Sequence, residues 1–165
     1  MTSTPTWMGP VRQTAFTVSD IDAAINRWLD ETGTGPWYVF DVHVPESIYR
    51  GTKVPMRLRA ALAQSGTQQI ELIEPDTSVS SAYKEFIDAG RTGVHHIAYW
   101  VDTEAAHRHL AGRGKELVQS ATTGDGNPYT YWSSTVGVPY LEFIDPQPGD
   151  QVSALFAKVA AAAEG

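Results

Sequence analysis

Two acids in this sequence sit where acids are expensive. Glu71 interrupts the apolar run Ile70-Glu71-Leu72-Ile73, and Glu142 interrupts Leu141-Glu142-Phe143-Ile144. A carboxylate inside an apolar strand is costly unless it is paired or bound to a cation. The same arrangement occurring twice argues for a shared purpose. A third polar group lies in Gly93-Val94-His95-His96-Ile97-Ala98-Tyr99-Trp100. Strand alternation puts His96, Ala98 and Trp100 on one face and His95, Ile97, Tyr99 and Val101 on the other. The second set is the more apolar and suits a helix-covered side, so His96 is expected to face a cavity and His95 is not. Glu71, His96 and Glu142, with Gln13 available as a fourth, would form an oxygen-rich donor set with one imidazole. Such a set suits Mn, Co, Ni, Zn, Mg or Fe in an open octahedral site better than a closed structural zinc site. The chain has no cysteine, which excludes thiolate ligands and disulfides.

The elements that must position these groups come in two series. Val11–Val18 reads as a strand, followed by a helix capped by Ser19 or Asp20, with Ile21, Ala24, Ile25, Trp28 and Leu29 on one face and Gly33 as its stop. Strands are expected at Trp37–Val44, Val54–Gln64 and Gln68–Ile73. A connector, 76–92, holds a short helix whose Val79, Tyr83, Phe86 and Ile87 share a face. The pattern then restarts: a strand at Val94–Val101, a helix at Thr103–Ala111 capped by Asp102, and strands near 116–122, 128–134 and 138–144. Asp125-Gly126-Asn127-Pro128 marks a turn between two of them. A last helix is expected at about 150–163. Setting Gln13–Ala24 against His96–Ala106 brings Ala15 onto Ala98, Phe16 onto Tyr99 and Val18 onto Val101, while Ile70–Pro75 matches Leu141–Pro146 throughout. The chain therefore reads as two copies of one βαβββ module, about 10–75 and 93–147, in a single domain spanning 1–165. In this alignment His96 is equivalent to Gln13 and Glu142 to Glu71. Two such modules packed about a pseudo-two-fold axis would bring all four to one cavity.

Composition narrows the partners. Twelve basic and nineteen acidic residues give a net charge of −7, which works against phosphate-backbone binding. Lys53, Arg57 and Arg59 read as a solvated strand face. No apolar run approaches the roughly 20 residues of a membrane helix, and no signal peptide is evident. The expected setting is cytoplasmic, and the expected partners are a small-molecule substrate and a second copy of the chain, with no nucleic acid and no membrane.

The paired βαβββ modules, "GVHHIAYWV" and "IELIEP…LEFIDP" resemble the vicinal oxygen chelate superfamily, which includes glyoxalase I, methylmalonyl-CoA epimerase, extradiol dioxygenases and the bleomycin- and fosfomycin-resistance proteins. The resemblance spans roughly Val11 to Pro146. It implies an α+β fold in which tandem βαβββ modules form a cupped, pseudo-two-fold mixed sheet with flanking helices. It also implies four metal-ligand positions, one on the first and one on the last strand of each module, which fall on Gln13, Glu71, His96 and Glu142. Glyoxalase-like and epimerase-like members commonly carry histidine where this chain has Gln13. An amide oxygen binds a metal less strongly than imidazole and cannot act as a base. Extradiol dioxygenases also need a histidine there, which counts against oxygen-dependent ring cleavage.

The remaining polar features have plainer readings. His43, His95, His107 and His109 are expected to be structural, Asp41, His43 and Glu46 a solvated strand end, and Asp20 and Asp102 helix caps. Trp100, two residues beyond His96 on its face, and Tyr131, whose hydroxyl could bond a substrate oxygen, are the expected pocket residues. The resulting expectation is a divalent-metal-dependent isomerase, epimerase or lyase, of the glyoxalase or methylmalonyl-CoA epimerase type. Glu142 and Glu71 would move a proton next to a carbonyl-type oxygen of a substrate with a sizeable apolar part. The alternative is a drug-sequestering protein of the same fold, which needs no metal.

Overall fold

The structure, a computed structural model, describes residues 7–123, 126–145, 157 and 161. Among these, eight strands and three helices follow in the order β1 (Val11–Thr17), α1 (Ile21–Thr32), β2 (Tyr38–Tyr49), β3 (Thr52–Ser65), β4 (Gln68–Pro75), α2 (Ala82–Asp88), β5 (Gly93–Trp100), α3 (Thr103–Ala111), β6 (Leu117–Thr122), β7 (Pro128–Ser133) and β8 (Tyr140–Ile144). This is the expected α+β arrangement, with β2 running five residues further than the sequence pattern suggested. The expected final helix lies outside the described residues, apart from Ala157 and Ala161, which are helical.

The strands close in the order β1-β4-β3-β2-β6-β7-β8-β5. Each module pairs its first strand in parallel with its last, and the two modules do so in the same register. Ala15 lies opposite Glu71 across β1 and β4, and Ala98 lies opposite Glu142 across β5 and β8. The modules then join through the antiparallel seam of β1 and β5, where Gln13 meets Ala98 and Ala15 meets His96. Those reciprocal pairs are what a two-fold axis through the seam requires, and they support the residue equivalences read from the repeat.

Alternation sorts the side chains into an interior and an outer layer. Inside, Ala15, Met56, Leu58, Ala60, Ile73, Tyr129, Tyr131, Tyr140 and Ile144 form one core. Outside, α1 covers Ala61 and Leu72 with Ile21 and Ala24, and α3 covers Trp132 and Phe143 with Ala106 and Leu110. Asp20 caps α1 by accepting from the Ala23 amide at 2.9 Å. Gly33 ends it in the left-handed conformation, at φ 69°, that a side chain would oppose. Asp102 caps α3 in the same way. Leu29, expected on the buried face of α1, is 45 % exposed, while Ile25 and Trp28 pack against the core under the helix.

The connector helix α2 belongs to the interior core. Ala82, Tyr83 and Phe86 are buried, whereas Ile87, expected beside them, is exposed. At about 100° per residue, Ala82, Phe86 and Tyr83 span the buried arc and Ile87 falls about 40° beyond its edge. Glu85 fastens this helix to both modules. Its carboxylate accepts from Tyr49 at 2.5 Å, Tyr140 at 2.8 Å and Arg50 Nε at 2.7 Å, and Arg50 also reaches Glu116. Arg50 and Gly51 form the β2–β3 turn with φ of 46° and 80°. A hairpin turn of that hand is unusual for arginine, and here it aims the guanidinium at Glu85.

The Arg50 guanidinium holds the Glu85 carboxyl down from the usual 4.5 to about 2. A carboxyl whose folded value is depressed contributes stability that is present above its unfolded value and lost as pH falls toward the folded one. Wild-type protein is therefore expected to lose stability between pH 4.5 and 2 that a Glu85→Gln variant has already lost. The difference at pH 7 is about 1–2 kcal/mol, discounted because Arg50 is itself more than a third exposed. Urea denaturation of both proteins across that range measures it, and parallel curves would remove Glu85 from the account.

Candidate active site

Gln13, Glu71, His96 and Glu142 meet inside the barrel at the β1–β5 seam. His96 Nε2 lies 2.9 Å from Glu142 Oε2, 3.6 Å from Glu71 Oε2 and 3.4 Å from Gln13 Oε1. His96 is fully buried and Glu142 nearly so, while the Glu71 side chain keeps 17 % of its surface exposed. Gln13 is oriented from behind, because its Nε2 donates to Gln69 Oε1 at 2.6 Å, which turns its own oxygen toward His96.

The second-layer partners differ between the modules. Glu71 lies across from Leu62, and Glu142 lies across from Tyr131. The Tyr131 hydroxyl is 2.6 Å from that of Tyr83, which comes from α2. Tyr129 occupies the position equivalent to Ala60 and adds another buried phenol. Glu142 thus has His96 and Tyr131 as partners, whereas Glu71 has an aliphatic neighbour and a looser contact.

Burial sets the protonation states. It pushes the Glu71 carboxyl well up, with the Glu142 charge adding to the effect, and it pushes Glu142 up against an opposing hydrogen bond from Tyr131. It pushes His96 down, so the imidazole is neutral. The 2.9 Å contact is accordingly a hydrogen bond sharing one proton between His96 Nε2 and Glu142, and not an ion pair.

As the side chains stand, no three His, Asp or Glu residues among those described form a finished cage for a metal ion. The donor chemistry nevertheless fits a hard or borderline divalent ion: two carboxylates, one amide oxygen and one neutral imidazole nitrogen converge, with three oxygens within 3.6 Å of that nitrogen. Burial holds both carboxyls toward the neutral form, and a cation between them would favour their ionisation.

Of the expected site residues, Gln13, Glu71, His96, Glu142 and Tyr131 come together. Trp100 lies on the same face, half-buried against the interior core, with the Arg12 guanidinium 5.2 Å over its ring. Asp41, His43 and Glu46 are exposed, as expected. His95 is the correction. It does not join the helix-covered side but lies fully buried inside, with its Nδ1 2.9 Å from that of His96. The cause is a register shift between β1 and β5, where Ala15 pairs with His96 but Phe16 with Val94. This bulge breaks the alternation and gives both histidines the same side. Gln69, Tyr83 and Tyr129 were also missed. Gln69 shares a face with Glu71 two residues on, a signal that was available, whereas Tyr83 arrives from a separate helix.

Residues 12–132 match the family model described as the glyoxalase/bleomycin resistance protein/dioxygenase superfamily. No curated protein sequence matches the chain. Among solved structures, the Mycobacterium tuberculosis methylmalonyl-CoA epimerase is 23 % identical, with a TM-score of 0.59, covering 93 % of this chain and 97 % of that one. A Streptomyces coelicolor methylmalonyl-CoA epimerase variant in complex with 2-nitronate-propionyl-CoA is 17 % identical, with a TM-score of 0.56, covering 84 % and 94 %. At these identities the likeness establishes the fold and leaves the reaction open. Among the described residues no helix is long and apolar enough to cross a membrane.

Glu71 and Glu142 both have folded states that favour a proton the unfolded chain releases, and Glu71, with no hydrogen bond opposing the shift, is the clearer case. A carboxyl raised on folding makes stability fall as pH rises past its unfolded value. Metal-free protein is thus expected to lose stability steadily above about pH 5, with the slope that a carboxyl of ordinary unfolded value gives. Glu71→Gln should flatten that loss and raise stability at pH 8 by about 1–2 kcal/mol. Chemical denaturation of chelator-treated wild type and variant at pH 5 and pH 8 tests this. A variant less stable than wild type at pH 8 would show that Glu71 is already paired.

Proposed function

This chain belongs to the glyoxalase/bleomycin resistance protein/dioxygenase superfamily, and on that footing we propose that it is a divalent-metal-dependent isomerase or epimerase that removes and returns a proton beside a carbonyl-type oxygen. The observation that carries the reading is the convergence of two buried acids with raised protonation ranges on one neutral imidazole. A carboxyl moved toward neutrality is matched to taking a proton and giving it back at physiological pH.

Gln13, Glu71, His96 and Glu142 would hold the ion, which when bound acts as a Lewis acid toward the substrate oxygen. The chain's own groups divide the remaining work. Glu142 is held by His96 and Tyr131 and stays in place. Glu71, partly exposed and without a hydroxyl partner, is the carboxylate free to swing, and in the ionised form that a neighbouring cation favours it would accept the proton from carbon. Tyr131 bonds to Tyr83 and is screened from water, so its O–H keeps its proton and donates to an acceptor oxygen. Trp100 and the aromatic interior favour a substrate with an apolar part. The acyl-CoA named with the structural relatives supports an acyl thioester as the class to try.

The test is hydrogen exchange from acyl thioesters in heavy water, followed by proton NMR with Mn, Co, Ni, Zn or Mg supplied. Wild type should wash out the hydrogen next to the carbonyl. Glu71→Gln should lower the rate by about 100- to 1,000-fold, and both Glu71→Gln and Glu142→Gln should weaken metal binding, Glu142→Gln the more. Protein purified without chelator should carry about one divalent ion per site, as a four-ligand centre implies. No metal uptake together with no exchange would defeat the proposal and favour ligand sequestration.

A further inference from the structure

His95 does no work in the proton transfer just described, yet it is the most elaborately held side chain in the interior. Its ring stacks on Tyr83 at 4.6 Å, tilts against Tyr140 at 4.7 Å and meets the edge of Phe86 at 5.2 Å. The backbone of Ala82, at the start of α2, is the polar group that interacts with it, although His95 Nε2 makes no fully formed hydrogen bond. Ala82 is itself fixed, since its amide donates to Gln119 Oε1 at 2.7 Å. A β-bulge turns His95 inward, where its Nδ1 sits 2.9 Å from His96 Nδ1. Core packing alone does not call for that contact, because an apolar ring would fill the same space without a nitrogen to satisfy.

We propose that His95 is a positioning residue for His96, setting through their Nδ1–Nδ1 hydrogen bond which nitrogen of His96 carries the proton. The inference deepens the reading of this site, since His96 is its central nitrogen. A hydrogen bond between two Nδ1 atoms requires one to donate and the other to accept. Two neutral rings so joined must therefore be opposite tautomers. When His96 Nε2 offers its lone pair to a cation or to a proton on Glu142, His96 carries its hydrogen on Nδ1. His95 then accepts that hydrogen and directs its own Nε2–H toward α2. When His96 Nε2 donates to a Glu142 carboxylate, both rings reverse. Ligating histidines are commonly oriented by a partner on their other nitrogen, and losing that partner weakens the metal by about 10- to 100-fold.

Long-range proton–nitrogen spectra of full-length, metal-free protein labelled at histidine test this directly. The expected result is one ring with hydrogen on Nδ1 and the other with hydrogen on Nε2. Two rings in the same tautomer would overturn the proposal. His95→Phe keeps the ring packing but removes the nitrogen, so a His96 hydrogen held on Nδ1 should move to Nε2, which still has Glu142 as its partner. His95→Asn places an amide atom near the lost Nδ1 and should restore it. Zinc binding, read by competition with a chelating dye, should weaken by about 10- to 100-fold in His95→Phe and recover in His95→Asn. Where wild type binds zinc, equal affinity in His95→Phe would also overturn the role. Should His95→Phe fail to fold, the wild-type tautomers and His95→Asn decide. Opposite tautomers in a wild type that binds no zinc would leave His95 as the positioning residue and defeat only the metal reading.

Discussion

The antiparallel seam between β1 and β5 is the contact on which the rest of the molecule depends. It is a strand pairing between modules, and it fixes where four chemically costly side chains go. Because each module pairs its first strand with its last in the same register, a two-fold crossing at the seam brings equivalent positions into one volume. Gln13 meets Ala98 and Ala15 meets His96, and the small alanines opposite Glu71 and Glu142 leave room for the larger groups to turn toward each other. Replacing either alanine by a branched residue would push side chains into the space where the acids, the amide and the imidazole converge. The site is thus a consequence of register. A slip of one residue on any of the four strands would send its polar group to the helix-covered side.

Much of this was legible because repetition makes two weak signals into one strong one. An acid in an apolar strand is a curiosity; the same acid at equivalent positions of two modules identifies a face and a partner. The equivalence of Ala15 with Ala98 and of Glu71 with Glu142 therefore placed the quartet without coordinates. The misses have local causes. His95 was assigned to the wrong side because alternation assumes an unbroken ladder, and the bulge opposite Ala15 and Phe16 has no mark in composition. Leu29 and Ile87 follow helical spacing yet stay exposed, because spacing marks a face and not the width of the surface packed against it. Tyr83 enters the site from the connector, a segment whose docking depends on Glu85 meeting Tyr49, Arg50 and Tyr140 from three different strands or turns. No window of sequence contains that arrangement.

The two modules have kept their backbone symmetry and lost their side-chain symmetry, and the loss has chemical content. Leu62 and Ala60 in the first module correspond to Tyr131 and Tyr129 in the second. A perfectly symmetric site would hold two equivalent carboxyls competing for one proton, with nothing to decide which of them moves. Tyrosine on one side and leucine on the other breaks the tie. The hydroxyl of Tyr131 lowers the cost of charge on Glu142, while no hydroxyl offsets that cost on Glu71. The same substitution explains why the acid with the weaker hold is also the more exposed one, since no hydroxyl draws it inward. Gln13 in the position equivalent to His96 extends the pattern, because an amide supplies an oxygen but no titrating nitrogen. One module therefore contributes His96, Glu142 and Tyr131, and the other the looser acid Glu71 and the amide of Gln13, fixed by Gln69. A duplicated scaffold can in this way keep a symmetric backbone while placing chemically different groups on the two sides of one cavity.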